Sequence, residues 1–406
     1  MAAALPKNSV EERRKSGPNG VDYLARVKAL APLLAAHARE IDERRELPKE
    51  IVDRMVDEGF FRLLMPKSLG GAELLPAQYV PIIEAFAEVD ASTAWCLNQN
   101  SGCSMTAAYL SEAVAKEIFG GPRGILAWGP GPGEARAVAG GYNVTARWSF
   151  ASGSHHASWL GCHVPVVEAN GQPRLESDGV PAVRTLFFPK SKTKFTDIWH
   201  TMGLRGTGSD QYEVKDLFVP EDHSLPSIAR NTPERRREKG LTYSFSSLSM
   251  YAAGFAGVAT GCARATIASF IELARDKIPR GARVTMRNNH VIQSQVAQAK
   301  VRVDSAWGHL IRSLEEITEA VRQRGHITMD ERMAIRLNST YCIHTAMEVI
   351  GILYQAAGAN AIFNENPFER PWRDVHSVSQ QIQGRQAHFE TVGAYLMGLP
   401  ADTSWL

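Results

Sequence analysis

Two short stretches hold the residues best suited to chemistry. Arg147-Trp-Ser-Phe-Ala-Ser-Gly-Ser-His-His-Ala-Ser-Trp159 alternates bulky and small side chains into a Ser-Gly turn. Gly203-Leu-Arg-Gly-Thr-Gly-Ser-Asp210 is a glycine-rich turn that feeds a second extended segment, Val214-Lys-Asp-Leu-Phe-Val-Pro220. Together they predict a β unit that offers backbone N–H groups and hydroxyls to something flat and aromatic, which suits a flavin. His155 and His156 follow the Ser-Gly turn. Adjacent residues of a strand point to opposite faces and no third ligand stands at suitable spacing, so no metal is expected; either histidine could instead line a substrate pocket.

Several other chemistries are excluded. Gly129-Pro-Gly-Pro-Gly133 has prolines where a dinucleotide fingerprint must turn into a helix, and no βαβ unit surrounds it, so the chain lacks its own nicotinamide site. A Walker A loop, an HExxH pair and a GxSxG elbow are also missing. The 45 basic residues nearly cancel the 43 acidic ones, which leaves no net field for nucleic acid or an anionic membrane. The run Arg235-Arg-Arg237 lies between Glu234 and Glu238 and is read as a solvated loop. Five scattered cysteines, Cys96, Cys103, Cys162, Cys262 and Cys342, indicate neither a disulfide framework nor zinc. The N-terminus reaches Glu11-Glu-Arg-Arg-Lys15 without a long apolar stretch, so no secretory signal and a cytoplasmic location are expected. The apolar run Tyr251 to Leu273 is rich in Ala, Gly, Ser and Thr and contains Arg264 and Glu272, which suits a packed bundle helix better than a membrane span.

The elements that must position these residues fall into three blocks. Residues 20–120 are helical in pattern, with Leu24, Val27, Leu30, Leu33 and Leu34 on one face and Ile51, Met55 and Val56 at helix spacing. Asp90-Ala-Ser-Thr93 forms a helix cap. Residues 121–235 turn to Gly, Pro and β-type residues, with strands expected over 125–128, 142–150, 163–167, 184–188 and 212–219. Residues 236–400 return to helix in four long segments, 246–276, 290–324, 330–354 and 373–397. A helical domain, a β domain and a four-helix bundle in that order are an unusual combination.

That order, the segment Ala146-Arg-Trp-Ser-Phe-Ala-Ser-Gly153, the Gly203–Ser209 turn, Tyr354-Gln-Ala-Ala-Gly358 and Arg370-Pro-Trp-Arg-Asp374 resemble the acyl-CoA dehydrogenase superfamily. Over about residues 20 to 400 the chain looks most like its two-component flavin-dependent monooxygenase branch. The resemblance implies reduced flavin, FAD or FMN, delivered by a separate NAD(P)H-dependent reductase. It further implies oxygen activation through a flavin C4a-hydroperoxide, a small aromatic or heteroaromatic substrate, and a homotetramer. The alternatives are an acyl-CoA dehydrogenase or oxidase acting on a thioester, and a catalytically silent flavin-fold protein.

Residue by residue, Ser152 resembles the contact to flavin N5, or is an ordinary turn serine; Trp128 resembles the aromatic beside the isoalloxazine, or is core. Arg280 sits where relatives reach the cofactor phosphates of a neighbouring subunit, and the bend at Gly358 is similar to the loop over the adenosine part. Trp95, Asn98 and Cys103 lie on the helix that would roof the flavin, and with His155 and His156 are pocket candidates. A dehydrogenase needs a glutamate base where this chain reads Gln380-Gln-Ile-Gln-Gly384, unless Glu272, Glu348 or Glu390 substitutes. Monooxygenase relatives carry a histidine where Gln381 falls, leaving His376, His388 or a neutral donor such as Gln381 for that role. On one continuous helix, Gln381 and His388 would share a face, as would His376, Gln380 and Gln383.

Overall fold

The N-terminal helices form where apolar residues repeat every three or four positions and a cap satisfies the first free amides. Helix α1 (Tyr23–Arg44) buries Val27, Leu30, Leu34 and Ile41, and Asp22 caps it. It is followed by α2 (Lys49–Asp57), α3 (Pro76–Ala87), α4 (Ala91–Ser104) and α5 (Glu112–Phe119). Asp90 accepts from the Thr93 amide at 2.7 Å and starts α4, as its sequence predicts. The computed structural model describes residues 20–227, 235–404 and 406. The leaderless reading of the first residues lies outside these, as does Glu234 beside the arginine run.

The middle block is one eight-stranded sheet. Its strands are β1 (Leu126–Ala127), β2 (Gly133–Val138), β3 (Gly141–Trp148), β4 (Trp159–Val167), β5 (Val183–Pro189), β6 (Lys194–Thr196), β7 (Gln211–Pro220) and β8 (Ser224–Pro226). The spatial order is β6-β7-β3-β2-β4-β5-β8, with β1 alongside β4. Tyr142, Val144, Ala146 and Trp148 of β3 alternate inward while Thr145 and Arg147 face out. β2 escapes a propensity reading because Gly-Glu-Ala-Arg-Ala-Val is a poor strand sequence; it is held by antiparallel pairing along β3. Gly133 permits this, since a Cβ there would overlap that of Ala146. The expected strand 142–150 stops at Trp148 because Phe150 turns to φ +57°.

After Ser246 caps it, α6 (Ser247–Asp276) runs through the centre of the C-terminal block and packs on α3, α4 and three later helices. Alone among the described helices it is long and apolar enough to cross a membrane, and 72% of that window is buried inside the protein. It is joined by α7 (His290–Arg324), α8 (Met329–Ala357), α9 (Glu369–Gln380) and α10 (Ala387–Leu396). The expected continuous helix 373–397 is thus two. Gln381 has extended ψ 161°, its carboxamide oxygen accepts from the Gln383 amide at 2.8 Å, and the chain turns at Gly384. The helical-face pairing of Gln381 with His388, and of His376 with Gln383, is therefore corrected.

The solvated-loop reading of the arginine run holds for exposed Arg235 but not for its two neighbours. Arg236 is buried and donates to the Ser244 hydroxyl, while Arg237 donates to the carbonyls of Ala107 and Leu110. Carbonyls beyond the end of α4 need donors, and a guanidinium supplies several in one fork.

Candidate functional site

Ser152 follows the turn made by Phe150, and two other elements converge on its hydroxyl. Trp95 Nε1 on α4 donates to Ser152 Oγ at 2.9 Å. Ser209 Oγ lies 2.6 Å from Ser152, and Thr207 Oγ1 lies 2.7 Å from Ser209. Thr207 donates to the Leu204 carbonyl at 2.8 Å, and the Trp199 indole donates to the same oxygen. The Leu204 amide in turn donates to Asp374 Oδ1 on α9 at 2.6 Å. This chain of contacts crosses from the N-terminal helices through the sheet's loops to the C-terminal block. Burial pushes the Asp374 carboxyl up to about 7.

The surface beside Ser152 is aromatic. Phe150 is 61% exposed and meets Trp199 edge-on at 5.8 Å. Behind Ser152, Trp95 stacks on Phe255 with centroids 3.9 Å apart, and Phe255 lies parallel to Tyr251 at 6.0 Å. A serine hydroxyl beside an open aromatic ring, backed by an aromatic column, fits a flat heteroaromatic cofactor and an aromatic substrate. Trp95→Phe should keep an aromatic ring against Phe255 but remove the N–H and part of the buried ring, lowering stability by about 1–3 kcal/mol in denaturant unfolding.

The structure separates the other pocket candidates from Ser152. Asn98 is committed to the core, accepting from Tyr79 Oη at 2.8 Å and donating to the Tyr251 carbonyl at 3.3 Å. Cys103 is buried against Tyr251 Oη. His155 bridges Glu46 at 3.1 Å and Asp210 at 2.8 Å, tying the α1–α2 connection to the sheet. The Asn100 amide donates to the Leu126 carbonyl, so its oxygen accepts from His156 Nε2 at 2.9 Å. Burial pushes His156 down to about 3. The polar atoms of Asn98, His155 and His156 are therefore engaged within the protein, away from Ser152. Trp128 is 6% exposed and edge-on to His163, so its ring belongs to the core, the other reading its sequence allowed.

Near the end of α9, His376 lies against the Trp372 ring and its Nδ1 donates to the Trp372 carbonyl of its own helix at 2.7 Å. His388 is buried, bonded to the Ile382 carbonyl at 2.7 Å, and held down to about 4 by burial and by Arg336. One nitrogen of each imidazole is occupied by a backbone carbonyl. Gln381 differs: its oxygen is taken by the Gln383 amide, which orients Nε2 as a buried donor with no hydrogen-bond partner.

Residues 27–120 match the family model of the acyl-CoA dehydrogenase N-terminal domain, and residues 253–384 match that of the C-terminal domain. This chain belongs to the acyl-CoA dehydrogenase family. It is 28% identical over 365 residues to an indole-3-acetate monooxygenase of Pseudomonas putida, covering 89% of this chain and 90% of that protein. It is 27% identical over 400 residues to the oxygenase component of the FADH(2)-dependent resorcinol hydroxylase of Rhizobium sp. strain MTP-10005, covering 93% and 95%. The crystal structure of the HsaA monooxygenase from Mycobacterium tuberculosis superposes with a TM-score of 0.84 at 27% identity, covering 95% of this chain and 99% of that one.

Within the acyl-CoA dehydrogenase family the candidate bases can now be placed. Glu272 pairs with Arg275, Glu348 with Arg302, and Glu390 is exposed, so all three sit on the outside of the bundle. None is at the Ser152 site. The structure does bring Arg280 and Gly358 to one end: Lys277 Nζ donates to the Ala357 carbonyl at 2.5 Å and Gly358 turns at φ +61°. Arg280 and Arg283 are exposed on the loop that Lys277 anchors. A pyrophosphate-bearing cofactor fits such a basic edge.

Four residues of the site were missed from sequence. Phe150 and Lys277 carried no signal beyond their types. Ser209 and Thr207 stood in plain view in the glycine-rich turn, but nothing local says that a loop some 50 residues on returns to Ser152.

Proposed function

We propose that the chain is the oxygenase component of a two-component flavin-dependent monooxygenase, taking reduced flavin from a separate reductase to hydroxylate a small aromatic substrate with dioxygen. The observation that carries this reading is Gln381: the position where the resemblance puts a titrating histidine holds an oriented carboxamide donor, and no glutamate stands in the stretch 380–384 where a dehydrogenase base would fall. Bound reduced flavin would supply the electrons that activate dioxygen. The protein's own residues hold and orient. Ser152 would meet flavin N5 and Phe150 would cover its ring, Trp95 and Phe255 back that contact and keep water out from behind, and Gln381 would donate a hydrogen bond to the reacting oxygen or the substrate.

The flavin is read as FAD, supported by the basic edge of Lys277, Arg280 and Arg283 beside Gly358. A homotetramer is read from large apolar side chains left exposed on α7 and α8, Val291, Val301, Tyr341 and Ile352. All five cysteines are buried and unpaired, which accords with a cytoplasmic location.

The test supplies NADH, a flavin reductase, FAD and either resorcinol, indole-3-acetate or an acyl-CoA under labelled dioxygen. Label should enter an aromatic product and depend on the reductase. Bleaching of oxidised flavin by the acyl-CoA with no reductase present would overturn the reading in favour of a dehydrogenase.

A further inference from the structure

The contacts around Ser152 fix where every hydroxyl hydrogen points. A carbonyl can only accept, so Thr207, at 2.8 Å from the Leu204 oxygen, spends its hydrogen there. The 2.7 Å contact between Thr207 and Ser209 then needs the hydrogen of Ser209. With that hydrogen committed, the 2.6 Å contact between Ser209 and Ser152 needs the hydrogen of Ser152. The indole N–H of Trp95 can only donate, and it occupies one Ser152 lone pair. Ser152 is left with one lone pair and no hydrogen to offer. Ser209 and Thr207 are 1% and 2% exposed, so water does not compete for these bonds.

We propose that Ser209 and Thr207 are positioning residues that lock Ser152 as a pure hydrogen-bond acceptor, so that the site selects reduced over oxidised flavin. The inference rests on the reading that Ser152 meets flavin N5. Reduced flavin carries an N5–H, which the open lone pair accepts. Oxidised flavin presents an N5 lone pair, which meets another lone pair. Selection of this kind suits a protein that must take its flavin already reduced and let it go once oxidised. The polarity originates at Leu204, whose peptide is held by Asp374 on its N–H and filled at its carbonyl by Thr207 and Trp199.

The test compares dissociation constants of FAD, oxidised and anaerobically reduced, by fluorescence and absorbance titration of the full chain. Wild type should favour the reduced form. Ser209→Ala frees the Ser152 hydroxyl to rotate and donate, and Thr207→Val frees Ser209 to reverse the chain. Each should narrow the ratio of oxidised to reduced dissociation constants roughly tenfold, chiefly through tighter binding of the oxidised form. Ser209→Thr, which keeps the hydroxyl, should restore the wild-type ratio. A ratio within twofold of wild type in both Ser209→Ala and Thr207→Val overturns the proposal. Ser152→Ala separates the two levels. If it narrows the ratio while those two variants do not, only the relay fails; if it leaves both affinities unchanged, the N5 contact and the relay fail together.

Discussion

Asp374→Ala is expected to destabilise the protein by about 2–3 kcal/mol and to weaken flavin binding, because it strips the partner from a buried amide at the root of the Ser152 chain. Neighbouring contacts cannot compensate. Gly203 is pressed so closely on the Arg373 carbonyl that a Cβ there would overlap it, and Arg373 is already engaged with Glu369 and Asp42. Asp374→Asn keeps the acceptor and should retain most of both properties. It also isolates a pH effect. Burial raises the carboxyl from its ordinary 3.8 to about 7, so between those values the folded protein holds a proton that the unfolded chain has released. Its contribution to stability therefore falls as pH rises from about 4 to about 7 and is level above. Relative to wild type, Asp374→Asn should gain stability across that window, read from thermal or urea unfolding at each pH. A constant difference would contradict the assignment.

Gln381→His is expected to give the enzyme a titration it lacks. A carboxamide neither takes nor releases a proton near neutrality, so position 381 adds no limb to the wild-type rate profile. An imidazole there should introduce one near pH 6.5. On a phenol such as resorcinol, the neutral ring above that limb can take the hydroxyl proton and raise the turnover rate by up to about 10²-fold. On indole-3-acetate, with no phenol to deprotonate, the gain should be absent. The same profile and the same rate on both substrates would show that residue 381 does not face the reacting atoms. Gln381→Ala serves as the control that removes the donor without adding a base.

These two residues illustrate what was legible in the chain. Asp374 is conspicuous in Arg370-Pro-Trp-Arg-Asp374, and its family resemblance is carried by adjacent residues. Its work, holding a peptide 170 positions away, is invisible until the chain folds. Gln381 was readable as a departure from the histidine that the family resemblance implies, but the orientation of its carboxamide depends on the break between α9 and α10. That break has no strong local signal: Gln380-Gln-Ile-Gln-Gly384 contains one glycine and no proline, so the helical pattern runs through it. The partners of the histidines were hidden for a related reason. His155, His156, His376 and His388 have the residue type of catalysis, and each holds a carboxylate, an amide or a carbonyl on at least one ring nitrogen, a partner that only packing brings near.

By itself the sequence determined the three-block order, three of the four long C-terminal helices, the Asp90 cap and the absence of a titrating side chain at 381. Those features depend on periodicity and on neighbours a few positions apart, where one stretch of chain contains both partners. The tertiary structure alone decided which of the candidates meet. It buried Asn98 and Trp128, kept Phe150 open, and closed Trp95, Ser152, Ser209 and Thr207 into one chain of hydrogen bonds. Burial removes the water that would otherwise satisfy these groups, so each must find a partner wherever the fold places one, at sequence distances that no local pattern encodes.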